Sequence, residues 1–150
     1  MSLKGDFGVY LVAYELMRRK RRVLINQGRL VKTTEGYREI QGYDLLSINR
    51  DKKSRIEVKL MDADLRTQAN KKNLRQRATA AEAQNSDFVI IVVWSNREHH
   101  FYIIPRRAFT RAFGKKTKAG EYNISVYNSG KSKAKIESYR VNNEKDWGQI

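Results

Sequence analysis

The 150-residue chain has no cysteine, which removes disulfide frameworks, thiolate zinc sites and thiol nucleophiles together. A metal would have to be held by oxygen or by one of two histidines, His99 and His100. These are adjacent, so a strand sends them to opposite faces, and no third ligand type stands near them in sequence. Proline occurs once, at Pro105, and repeats and low-complexity runs are absent, so the spacing predicts continuous folded structure to about Phe113. No stretch approaches the ~18 apolar residues of a membrane span. Glu15 and Arg18 follow the apolar run Val9 to Ala13, which leaves no uninterrupted signal-peptide core. A cytoplasmic chain without membrane contact is therefore expected. Glycine-rich phosphate loops are also missing.

What the sequence has in excess is positive charge. Lys and Arg total 31 against 16 Asp and Glu, a formal charge of +15. Such an excess points to a polyanionic partner, with nucleic acid first and an anionic membrane second. At this length, with 40% hydrophobic residues, one core can be filled, so residues 1–150 are expected to form a single domain. Its core should span about 4–113, followed by a basic C-terminal extension over 114–150.

Phe7, Leu11, Tyr14 and Met17 follow helical spacing and predict a first helix over roughly Asp6 to Lys20. Its basic end complements the helix dipole. Val23 to Asn26 reads as a short strand. Gly28 to Gln41 reads as a polar loop longer than usual connections, made basic by Arg29, Lys32 and Arg38. A second helix is expected over Arg66 to Gln84, free of proline and glycine and carrying Lys71, Lys72 and Arg75. Phe88 to Trp94 is an apolar run suited to a strand covered on both faces, and Phe101 to Ile104 is a shorter strand before a Pro-initiated helix. Tyr122 to Tyr127 alternates like a further strand. The result is a mixed α/β domain, with helices on both faces of its sheet.

The segments Tyr43–Asn49 and Ser54–Met61 read as a hairpin joined by Arg50 to Lys53. Placing Asn49 opposite Ser54 puts Asp44 across from Lys59 and Leu46 across from Glu57. Residues two apart share a face, so Glu57 and Lys59 project together, with Asp44 and Glu57 as diagonal neighbours roughly 7–8 Å apart. One divalent ion can bridge two carboxylates at that spacing. Mg²⁺ suits it, because this cation prefers hard oxygen ligands and is usually held by one or two carboxylates with waters and substrate phosphate. The plainer alternative is a surface ion pair between Asp44 and Lys59 beside a solvated Glu57.

Gly42-Tyr43-Asp44 followed by Glu57-Val58-Lys59 resembles the PD-(D/E)XK nuclease superfamily. The opening Lys4-Gly5-Asp6-Phe7-Gly8 and the residues up to Glu15 and Leu16 are similar to the first helix of its small homing endonuclease and Holliday junction resolvase members, and Phe88 to Pro105 to their later strands. The resemblance covers roughly residues 4 to 110. It implies a restriction-endonuclease-like mixed β-sheet flanked by helices, with an αβββαβ core. It also implies Asp44, Glu57 and Lys59 as catalytic residues, with Asp44 and Glu57 holding Mg²⁺. Mn²⁺ is a possible replacement and Ca²⁺ a non-catalytic substitute. Where many members carry a glutamate early in helix one, this chain has Val9, which leaves Glu15 as the nearby acid and a further candidate metal partner.

The function so implied is a metal-dependent DNA endonuclease, of homing type first, acting as a homodimer or homotetramer so that two strands are addressed. Holliday junction resolvase, restriction-type nuclease and non-catalytic nucleic-acid-binding domain stay open beside it, as does a basic RNA-associated protein. Arg29, Lys32, Arg38, Lys71, Lys72 and Arg75 are the candidate nucleic-acid contacts. Asp62 and Asp64 fit the capping of a following helix better than a second carboxylate pair.

Overall fold

In the computed structural model the described residues are 3–26, 30–34, 36–39, 43–62, 74–95, 97–109, 118, 120–127 and 137–150. Helix α1 (Leu3–Arg18) opens the chain, with Asp6 in its first turn and Arg18 in its last, each complementing the nearer end of the helix dipole. Strands β1 (Arg22–Ile25), β4 (Leu45–Asn49), β5 (Lys52–Asp62), β7 (Phe88–Ser95) and β8 (Glu98–Pro105) form one sheet in the order β1-β4-β5-β7-β8. Only the β5–β7 pair is parallel. Helix α2 (Ala80–Asn85) lies on the crossover between those two strands. The mixed α/β class and the αβββαβ order are therefore present, as α1, β1, β4, β5, α2 and β7.

Two small two-stranded sheets decorate this frame, β2 (Leu30–Thr33) with β3 (Gly36–Glu39), and β6 (Leu74–Thr79) with β9 (Glu121–Tyr127). Both correct sequence expectations. The stretch read as a polar loop over Gly28 to Gln41 contains the β2–β3 hairpin. Of the long helix expected over Arg66 to Gln84, residues 66–73 lie outside the described residues, Leu74–Thr79 is a strand, and Ala80–Asn85 is a helix. Helix propensity at Leu74–Ala78 is overridden by a ladder to β9, with Gln76 opposite Ile124 and Ala78 opposite Tyr122. Thr79 then starts the helix, its hydroxyl accepting from the Glu82 backbone N–H at 3.1 Å while Glu82 accepts from the Thr79 N–H at 3.0 Å.

The β4–β5 hairpin also differs from the expected register. Arg50 adopts a left-handed φ of 56°, so the chain reverses within Arg50-Asp51 and Asn49 pairs with Lys52, Ser47 with Ser54 and Leu45 with Ile56. The expected pairing is displaced by two residues. Because side chains alternate with period two, this even shift leaves every residue on its predicted face.

The sheet separates two cores. On one face α1 contributes Val9, Val12, Ala13 and Leu16 against Leu45, Ile56, Val58, Ile90 and Val92. The approach is close: a Cβ added at Gly8 would stand 3.0 Å from the Leu60 Cβ, so a side chain there would push the helix off the sheet. On the other face Met61, Val89, Ile91, Val93, Tyr102 and Ile104 pack with Ala78, Ala83, Phe109 and Tyr122. The β7 run is buried on both sides, as its unbroken hydrophobicity predicts. The C-terminal residues expected to lie in an extension beyond the core instead enter it. Trp147 and Ile150 are buried in the α1-side core, and the backbone of 139–141 hydrogen-bonds to Phe101 and Ile103 of β8.

Candidate active site

Glu57 and Lys59 project from β5 on the face opposite α1, since Ile56 and Val58 between and beside them belong to the α1-side core. The alignment of β5 with β7 is fixed just before them. Asp87 Oδ2 accepts from the Arg55 backbone N–H at 2.8 Å, and the Asp87 N–H donates to the Arg55 carbonyl at 2.8 Å. Asp44 immediately precedes β4. Its backbone N–H donates to the Ile56 carbonyl at 2.8 Å, its carbonyl accepts from the Asn26 N–H at 2.8 Å, and its Oδ2 accepts from the Val58 N–H at 2.8 Å. Three backbone-linked hydrogen bonds thus press its carboxylate against the middle of β5, where it also hydrogen-bonds Glu57.

A fourth side chain joins the three expected ones. Glu82, in the first turn of α2, accepts from Lys59 Nζ at 2.5 Å, and Lys59 Nζ stands 3.2 Å from Glu57 Oε1. Glu57 and Glu82 share a hydrogen bond. Sequence reasoning missed Glu82 because it placed the residue within one long basic helix. The signal was present, however: Thr79-Ala80-Ala81-Glu82 is a capping-box pattern that marks a helix start there.

Glu57 is 6% exposed, and burial, the Glu82 hydrogen bond and the charge of Asp44 push its carboxyl up to about 10. Burial also raises Asp44, more than the Val58 N–H and Lys59 lower it. Glu82 goes the other way: burial is outweighed by hydrogen bonds from Glu57, Lys59 and the Thr79 N–H, which hold it down to about 2. Burial would lower Lys59, but Glu57 and Glu82 together raise it. Three acids against one base leave the cluster two positive charges short, and a proton held on Glu57 makes up one of them. A divalent cation beside Asp44 and Glu57 would make up both. Among the described residues, no group of three or more His, Asp or Glu side chains forms a metal cage. A Mg²⁺ that keeps its waters needs only one or two carboxylates, so the donor set fits that ion.

Glu15 lies apart from this cluster. It stands on α1, across the sheet, where its carboxylate accepts from Arg19 at 2.5 Å and lies 3.7 Å from Arg18. Arg19 in turn reaches Glu144 at 2.7 Å and stacks over Trp147 at 4.7 Å. Its expected metal role is therefore corrected: Glu15 anchors the C-terminal segment, and the intervening sheet keeps it from Asp44 and Glu57. Among the expected nucleic-acid contacts, Lys32 lies in β2, Arg38 in β3 and Arg75 in β6, while Arg29, Lys71 and Lys72 fall outside the described residues. Asp62 is the last residue of β5, and Asp64 lies outside the described residues.

No family model matches the chain, and no curated protein matches it. Solved structures do. The bacterial homing endonuclease I-Ssp6803I superposes with a TM-score of 0.60 at 18% identity, over 99% of this chain and 88% of that one. Hjc, a Holliday junction resolvase from the archaeal hyperthermophile Archaeoglobus fulgidus, superposes with a TM-score of 0.58 at 13% identity, over 98% of both chains. The chain therefore has a fold found in nucleases, a restriction-endonuclease-like α/β arrangement. Among the described residues no helix is long and apolar enough to cross a membrane.

Proposed function

We propose that the chain is a metal-dependent DNA endonuclease of the PD-(D/E)XK type, with Asp44, Glu57 and Lys59 as its catalytic residues. The observation that carries this is the convergence of a buried carboxylate, Glu57, a half-buried one, Asp44, and an ammonium on one face of the sheet, in a fold otherwise found in a homing endonuclease and a junction resolvase. Buried charge of this kind costs stability unless it is used or compensated.

Asp44 and Glu57 would hold Mg²⁺, which when bound supplies electrophilic stabilisation at the phosphate; Mn²⁺ would replace it, and Ca²⁺ would bind without supporting cleavage. Asp44 contributes an oxygen already oriented by the Val58 N–H. Lys59 places positive charge where negative charge grows on the scissile phosphate. The +15 formal charge gathers the polyanion. Arg29, Lys32, Arg38, Lys71, Lys72 and Arg75 are the proposed backbone contacts, and the cytoplasm is the proposed place of action.

Cutting both strands calls for two active sites, so a homodimer or homotetramer is proposed. A row of exposed residues on α1 supports a second copy as partner: Phe7, Tyr10, Tyr14 and Met17. Packed antiparallel on itself, this row would bring Phe7 to Met17 and Tyr10 to Tyr14, with Asp6 meeting Arg18 at each end.

The test incubates the purified chain with supercoiled plasmid and with a four-way junction, in Mg²⁺, Ca²⁺ or EDTA. Mg²⁺-dependent cutting of duplex DNA at defined sites supports the homing type. Cutting confined to the junction redirects the assignment to a resolvase. Intact DNA with every divalent ion overturns the nuclease proposal.

A further inference from the structure

The Lys59 side chain is a long, flexible stem whose ammonium gains precision only if something fixed holds it. On its own strand it has Glu57 at 3.2 Å, but Glu57 is also the residue expected to turn toward a cation, and a lysine tied only to it would move with it. Glu82 has no such second task. One of its oxygens accepts the Thr79 N–H and the other accepts Lys59 Nζ, so the capping of α2 and the placing of the ammonium use the two ends of one carboxylate. The helix is itself fixed, because Ala78 before it is fully buried and Ala83 within it packs on the core beneath the sheet.

We infer that Glu82 is a positioning residue for Lys59, using the capping box of α2 to hold the ammonium beside the Asp44–Glu57 pair. An ammonium has three N–H groups. With one directed to Glu82 and one to Glu57, the third is oriented for a phosphate oxygen. Glu82 acts through Lys59 and not as a third metal ligand, which agrees with the absence of a three-acid cage among the described residues.

The catalytic consequence rests on the nuclease proposal above, but the tether does not, and the two are tested separately. The first arm records the ¹⁵Nζ–¹Hζ resonance of Lys59 in the metal-free protein, assigned by its loss in Lys59→Met. A held ammonium exchanges its protons slowly and gives a signal. Glu82→Gln keeps the length and an oxygen for the cap but removes the charge, and it should abolish that signal. Glu82→Asp, which keeps the charge and shortens the reach, is a second variant that should weaken it. An unchanged resonance in both variants overturns the inference, whether or not the protein cuts DNA.

The second arm measures single-turnover cleavage. Glu82→Gln should slow it about 10- to 100-fold with half-saturation within about twofold, as expected when a catalytic group is misplaced by an ångström or so. In a Lys59→Ala background the same change should cost less than about twofold more, because groups that act as a unit are not additive. Full additivity would show that Glu82 acts directly and would overturn its role as a positioner. If the wild type does not cut but the resonance is lost in Glu82→Gln, the tether stands and the nuclease proposal fails.

Discussion

Asp44 reaches past the end of the β4–β5 ladder to accept the Val58 backbone N–H at 2.8 Å. A carboxylate set just before one strand is thereby locked to the strand that carries Glu57 and Lys59. A side chain held in this way has its orientation set by the backbone of the neighbouring strand.

Asp44→Ala, Glu57→Ala and Lys59→Ala should each lower plasmid cleavage by at least about 100-fold, as losing one electrostatic group in a preorganised site does, while DNA affinity stays close to wild type. Gel-shift and nicking assays run on the same preparations measure both. Full cleavage by either carboxylate variant would remove that residue from the site.

Stability in EDTA should fall as pH rises. Glu57 is pushed up to about 10 from an ordinary 4.5, so between those values the folded protein binds more protons than the unfolded chain. The stabilisation is complete below about pH 4.5 and is lost as pH climbs through the folded value. Glu82, held down to about 2, contributes the opposite slope, but only below about pH 4.5. Thermal melts from about pH 5 to 9 should therefore show a falling midpoint in wild type and a much flatter one in Glu57→Gln. Equal slopes would mean that Glu57 titrates as an ordinary exposed acid.

Divalent ions should stabilise the folded protein by about 2.7 kcal/mol at a hundredfold excess over Kd. The shift in melting temperature with Mg²⁺ or Ca²⁺ should disappear in Asp44→Asn. It should survive in Glu15→Gln, whose side chain lies across the sheet. An equal metal shift in Asp44→Asn and wild type would place the ion elsewhere.

Trp147→Ala should destabilise the fold by about 3–5 kcal/mol, the range for removing a buried large aromatic. Trp147 is 2% exposed, meets Phe101 edge to face at a centroid distance of 5.2 Å, and carries Arg19 over its ring. Urea denaturation gives the value, and a loss under about 1 kcal/mol would show that the C-terminal segment is dispensable to the core.

Light scattering should find a dimer or larger assembly that Tyr10→Glu combined with Tyr14→Glu reduces to monomer, since the paired charges would sit in a desolvated helix seam. A wild-type protein that is monomeric at every concentration would exclude the α1 contact.

The sequence by itself determined what depends on neighbours along the chain. The apolar period of α1, the unbroken run of β7 and the alternation around Glu57 and Lys59 are local patterns, and each forms the element it predicts. That Asp44, Glu57 and Lys59 would lie together was legible for the same reason: a short motif on adjacent strands keeps its faces even when the register moves by two, as it does at the Arg50 turn. Tertiary structure decided what depends on partners far along the chain. Leu74–Thr79 became a strand because β9, some fifty residues on, offered a ladder. Glu15 fell on the wrong side because only the assembled sheet has sides. Glu82 entered the site because the crossover from β5 to β7 sets the start of α2 over Lys59. Trp147 entered the core because the tail returns beneath α1. Propensity and periodicity are properties of a segment, whereas pairing and burial are set by which distant segment completes the hydrogen bonds and excludes the water.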